Sequence, residues 1–151
     1  MNNNFEIAKE LLQKNGEITG LATGISMKLL LRSGRDNAVI IPKPEHLRQN
    51  DVVLYRHPFN NELILHRIIK VTQNGFIIRG DNVYYTEKDV KPDDIIGILK
   101  GFYRDGKFYE CKNSPIYKLY VFYIRVSYPI RYLFFKSFSL LKRILRKIKQ
   151  L

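Results

Sequence analysis

Three short segments hold residue types able to do chemistry together. They are Thr23-Gly24-Ile25-Ser26-Met27, Leu63-Ile64-Leu65-His66-Arg67-Ile68 and Arg79-Gly80-Asp81-Asn82. A serine hydroxyl is a weak nucleophile at neutral pH and needs a hydrogen-bonded base to take its proton during attack. Imidazole, with an unperturbed pKa of about 6.5, suits that task, and a neighbouring carboxylate fixes its tautomer and favours the imidazolium that forms. Taken singly, each segment has a plainer reading. A serine after a glycine-rich turn is most often a turn residue, a histidine in an apolar strand is more often a hydrogen-bonded core or edge residue, and Gly-Asp-Asn after a β run is a common turn.

Other chemistries lack their residues. The single cysteine, Cys111, allows no internal disulfide, and His46, His57 and His66 have neither C-x-x-C nor H-E-x-x-H company, so a zinc enzyme does not fit. The 151 residues suit one domain with an appendage, and 45% hydrophobic against 26% charged residues excludes disorder of the whole chain. Met1 to Gly16 has acidic residues through its middle and no apolar run of signal-peptide length, so no N-terminal export segment or anchor is expected.

The elements that must position these residues follow from periodicity and turn chemistry. Phe5 to Lys14 places Phe5, Ala8, Leu11 and Leu12 on one face and is followed by Gly16, which predicts a short amphipathic helix. From Ile18 onward come short β runs: Ala38 to Ile41, Asp51 to Arg56, Leu63 to Val71, Gly75 to Arg79, Ile95 to Tyr103 and Lys107 to Cys111. Asn74-Gly75 and Asp105-Gly106 are two-residue hairpin signals, so consecutive strands should be antiparallel. The expectation is a mainly β domain of six or seven short strands over residues 1–113, then a tail over 114–151.

In this order, the three segments resemble the boxes of the signal peptidase I family of serine peptidases, whose fold is also built on short antiparallel strands. The resemblance covers roughly Gly20 to Arg104. Gly24-Ile25-Ser26-Met27 is similar to the nucleophile box, Leu31 to Asp36 to the turn after it, and Asn50 to Tyr55 to the next strand. Leu65 to Val71 is similar to the general-base box, Gly80-Asp81-Asn82 to the third box, and Ile95-Ile96-Gly97 to the closing strand. Bacterial leader peptidases and the self-cleaving SOS-type repressors place lysine at the base position. Endoplasmic-reticulum and archaeal enzymes place histidine there, as here. The resemblance implies Ser26 as nucleophile, His66 as base and Asp81 as the carboxylate on the imidazole. Glu87, six residues on, stands where histidine-type enzymes often carry a further aspartate. The chain departs from the pattern at Leu29, where the family usually has proline, and at Gly24, where bacterial enzymes carry an oxyanion-binding hydroxyl; the oxyanion hole would then rest on backbone N–H groups such as that of Ser26. The implied activity is hydrolysis of a leader or signal peptide through an acyl-serine intermediate, with no cofactor or metal. The alternatives are an inactive peptide-binding module of the same fold and a self-cleaving regulator; residues 1–19 are too few for a DNA-binding domain of the repressor kind.

The tail carries nine of the 26 basic residues and no Asp or Glu, hence nine of the twelve net positive charges. Pro129 predicts two helical segments, about Ile116 to Tyr128 and Ile130 to Leu151. In the second, Lys136, Ser139, Lys142, Arg143, Arg146, Lys147, Lys149 and Gln150 fall on one arc, and Leu133, Leu140, Leu141, Ile144, Leu145, Ile148 and Leu151 on the other. Arg125, Pro129 and Arg131 interrupt the longest apolar stretch, and a spanning helix needs about 20 predominantly apolar residues. The tail is therefore expected to lie in the plane of an anionic membrane surface, making the protein membrane-associated, on a face the sequence does not specify. Packing on the β domain and nucleic-acid binding are the alternatives.

Overall fold

Local sequence signals set the first elements of the computed structural model, which describes residues 4–148. Helix α1 (Asn4–Asn15) buries Phe5, Ala8 and Leu12 and leaves Leu11 exposed. It stops at Gly16, whose φ of 73° is left-handed and whose N–H donates to the Leu12 carbonyl at 3.0 Å. Eight strands follow: β1 (Ile18–Leu21), β2 (Asn37–Pro42), β3 (Val52–Arg56), β4 (Leu63–Thr72), β5 (Gly75–Arg79), β6 (Glu87–Val90), β7 (Ile95–Arg104) and β8 (Lys107–Glu110). A 3-10 turn, Pro92–Asp94, precedes β7.

The fold is mainly β, as expected, and every strand pair is antiparallel. The sheet order is β1-β2-β7-β3-β4-β5-β6, with β8 on β7. The β7–β8 hairpin turns at the expected Asp105-Gly106, whose φ of 49° and 79° a tight primed turn requires; in the β4–β5 hairpin Thr72 pairs with Gly75, so the two turn residues are Gln73 and Asn74, one position earlier than expected. A core of Val53, Tyr55, Ile68, Phe76, Ile78, Val90 and Ile95 joins β3 to β7 across β4, β5 and β6. Burying such side chains contributes about 1.5 to 3 kcal/mol each.

Helix α2 (Pro115–Ile148) is one element, not the two segments expected. Pro129 removes one backbone donor without breaking the helix, and beside it Arg131 Nη2 donates to the Ile124 carbonyl at 3.3 Å and Nε to Ser127 Oγ at 3.1 Å. By its internal contacts the chain divides into compact units Met1–Lys118 and Leu119–Leu151. Of the tail residues assigned to the two arcs, Lys149, Gln150 and Leu151 lie outside the described residues, as do the side chains of Ile144, Lys147 and Ile148.

Candidate functional site

Strand register brings the separated segments together. On β4, Arg67 pairs with Arg79 of β5, so Gly80, the next residue outward, emerges opposite His66. On the other side His66 pairs with Val53 of β3, which puts Tyr55 in the diagonal position on the same face. Ile68 pairs with Ile78, and Ile78 with Glu87, so β6 delivers Glu87 to that face two strands away.

His66 is buried. Its Nδ1 lies 3.2 Å from Glu87 Oε1 and 3.3 Å from Tyr55 Oη. Tyr55 Oη donates its proton to Glu87 Oε2 in a short hydrogen bond. Glu87 as carboxylate can only accept, and the tyrosine proton is already committed, so the proton between imidazole and carboxylate belongs on Nδ1. Nε2 is then the ring nitrogen turned away from the carboxylate, the position from which a histidine paired in this way acts as a general base. Among the described residues, this Nε2 is a buried side-chain polar atom with no hydrogen-bond partner.

Ser26 stands beside it. A Cβ built on Gly80 would lie 2.8 Å from Ser26 Cβ, 2.7 Å from the Ser26 carbonyl oxygen and 3.0 Å from His66 Nε2. Ser26 Cβ and Nε2 thus flank one point at contact distance. The hydrogen bond expected between Ser26 and His66 is not formed, since Nε2 has no partner. Two bonds hold the Gly80-Asp81-Asn82 turn on the serine turn: Asn82 N–H to the Ser26 carbonyl at 2.7 Å and Asn82 Nδ2 to the Ile25 carbonyl at 3.0 Å. The position where the family usually has proline, Leu29, lies in a tight turn in which the Leu30 and Leu31 N–H groups both donate to the Met27 carbonyl.

The role expected of Asp81 needs correction. Its Oδ1 accepts from Arg67 Nε at 2.7 Å and its Oδ2 from Arg67 Nη2 at 2.6 Å, with both side chains about 1% exposed. Arg67 is the residue after His66 on an alternating strand, so a carboxylate bound to its guanidinium serves a different face from the imidazole. Glu87 holds the place against Nδ1. Burial alone would push the Glu87 carboxyl up, but hydrogen bonds from His66 and Tyr55 outweigh this and hold it below its ordinary value. Burial, then the bond to Glu87, pushes the Tyr55 hydroxyl far above its ordinary range.

Sequence reasoning missed three participants. Tyr55 was legible only as the end of the strand from Asn50 to Tyr55, and Arg67 only as a member of the base box. Arg67 also donates from Nη1 to the Asn50 carbonyl and to Tyr117 Oη, each at 2.9 Å, which ties the first turn of α2 to the Asp81 pair. His57 is the third: its Nε2 lies 3.8 Å from Glu87 Oε2. Farther along the serine loop, Asp36 is fully buried and accepts from Arg32 and from Arg104 of β7, while Arg104 also donates to the Leu30 carbonyl at 2.8 Å.

A cleft of about 450 Å³ opens over the pair. One wall is β1 and the loop from Ala22 to Ser26; the other is Leu63 to His66 of β4, with Glu62, Tyr85 and Glu87 at the rim. β1 ends the sheet, and Leu63 to His66 pair with β3 alone because β5 begins its register at Arg67. Two strand edges therefore face the cleft with backbone groups unpaired by other strands among the described residues. Among those residues no cluster of three or more His, Cys, Asp or Glu side chains is placed to hold a metal ion. No protein-family model, no curated protein and no solved structure matches the chain, so its chemistry is read from this geometry.

Proposed function

We propose that the chain is a serine endopeptidase of signal-peptidase type, cleaving a leader or signal peptide through an acyl-Ser26 intermediate. The observation that carries this reading is the unpartnered Nε2 of a buried His66 beside Ser26, with Nδ1 held by Glu87. An extended peptide adds as a strand between the edges of β1 and β4, which aligns its carbonyl with Ser26. Ser26 Oγ attacks, His66 Nε2 takes the proton and returns it to the leaving amine, and Glu87 stabilises the imidazolium between these steps. Water, activated by the same nitrogen, then releases the acyl group.

The test is incubation of the purified chain with a library of leader peptides, products being mapped by mass spectrometry. Ser26→Ala and His66→Ala should each abolish cleavage without altering the fold, and the double variant should be little worse than either. A Ser26→Ala protein that cuts as fast as the parent refutes the reading. One feature favours a second reading: Nε2 makes no bond to Ser26. A non-hydrolysing peptide-binding module would hold the same strand, yield no product, and bind equally well with Ser26→Ala.

A further inference from the structure

From Leu119 onward, α2 displays an apolar stripe along its whole described length. Leu119, Val126, Ile130, Leu133, Leu141 and Leu145 are each more than half exposed, and at 100° per residue they fall within an arc of about 120°. Arg125, Lys136, Lys142, Arg143 and Arg146 occupy the opposite arc. The stripe is continuous because the helix passes through Pro129 without a break, so the two expected segments present one face. At about 1.5 Å per residue the 34-residue helix is on the order of 50 Å long.

We infer that this face docks in the plane of an anionic phospholipid bilayer, apolar side toward the acyl chains and basic side toward the headgroups. Charge decides among the occupants. A second copy of the helix would bring two surfaces with no acidic residue together, without the opposite-charge pairs that support helix association. Duplex nucleic acid would match the basic arc and leave the apolar stripe in water. An anionic bilayer satisfies both arcs at once, and exposed rings such as Phe134 and Phe138 suit the headgroup boundary. No helix among the described residues is long and apolar enough to cross a membrane, so the helix lies on the surface. The inference is independent of the peptidase reading, because it uses no residue of the Ser26 site.

The chain has no tryptophan, so Phe134→Trp in the full chain is a clean reporter. With vesicles of phosphatidylglycerol and phosphatidylcholine, its emission should shift to the blue and be quenched by brominated acyl chains. The partition coefficient should exceed that for pure phosphatidylcholine by roughly ten-fold or more at low salt and lose most of that excess in high salt. Lys136→Gln, Lys142→Gln and Arg143→Gln together keep helix-compatible residues and should lower anionic binding by roughly 100-fold, at about five-fold per charge. Leu133→Asp should weaken binding to both vesicle types. The inference is overturned if emission stays unshifted on anionic vesicles. It is equally overturned if the blue shift arises without lipid as the chain dimerises in sedimentation, or if the chain binds duplex DNA and no vesicle.

Discussion

Replacing Gly80 with alanine adds one methyl group at the point where the serine turn, the imidazole and the β5 exit meet. That methyl would sit 2.7 Å from the Ser26 carbonyl oxygen, 2.8 Å from Ser26 Cβ and 3.0 Å from His66 Nε2, whereas ordinary contact begins at 3.4 Å. Two of the three neighbours belong to Ser26, which Asn82 ties to the same turn, so relief by a side-chain rotation is closed. The backbone of the serine turn must retreat and the imidazole must tilt. Overpacking of this kind costs about 1 to 3 kcal/mol, or roughly 3 to 12 °C in melting temperature for a domain of this size. The displacement enters the reaction directly, and misplacement of reacting groups on the ångström scale costs about 100-fold in rate. Gly101→Ala is the matched control: its methyl would strike the Tyr109 carbonyl and the Phe108 ring on β8. Thermal unfolding and single-turnover cleavage of both variants should give similar stability losses, with a rate loss beyond the folded fraction only for Gly80→Ala. If Gly80→Ala matches the parent in both melting temperature and rate, the apposition of Ser26 and His66 is wrong.

Glu87→Gln should fold with a melting temperature within a few degrees of the parent and lose roughly 100- to 10,000-fold in cleavage rate, because the proton on Nδ1 is no longer held by a carboxylate. Asp81→Asn should do the reverse, leaving Arg67 buried without its ion pair at a cost of about 3 to 5 kcal/mol; a folded, inactive Asp81→Asn beside an active Glu87→Gln would restore Asp81 to the imidazole. Asp36, buried but held by Arg104 and Arg32 to a pKa of about 2 against 3.8, binds a proton less readily folded than unfolded. Its contribution, about 1 to 2 kcal/mol after allowing for solvent at the partner arginines, is present above pH 4 and lost as pH falls toward 2; in Asp36→Asn, acid titration of stability over that window should flatten, and an unchanged slope would remove the assignment. Tyr117→Phe should raise KM or lower kcat by no more than about ten-fold with the parent pH profile, since its hydroxyl bonds Arg67 and not His66 or Ser26; full loss of activity would make Tyr117 a direct participant.

Elements whose causes are local are legible along the chain. The glycine after Lys14 and Asn15 ends α1, Asp-Gly closes the β7–β8 hairpin, Asn-Gly marks the β4–β5 hairpin to within one residue, and the apolar runs make β3, β4, β5 and β7 strands. The separation of basic from apolar residues along the tail is likewise a property of sequence and helical period. Tertiary structure decided the rest. β1 and β6 have no apolar alternation of their own: Ile-Thr-Gly-Leu and Glu-Lys-Asp-Val become strands only because β2 and β5 offer edges to pair with. Pro129 looked like a helix break because a proline inside a helix costs one backbone bond locally, yet the helix runs on through it from Pro115 to Ile148. Between Asp81 and Glu87, two carboxylates close in sequence and equal in chemistry, the choice depended on which partner each would meet. A buried guanidinium one residue from the histidine claimed Asp81 with two hydrogen bonds, and the register of β5 on β6 carried Glu87 to Nδ1. Pairing register is a long-range property, set by the packing of a whole face, and no local spacing encodes it.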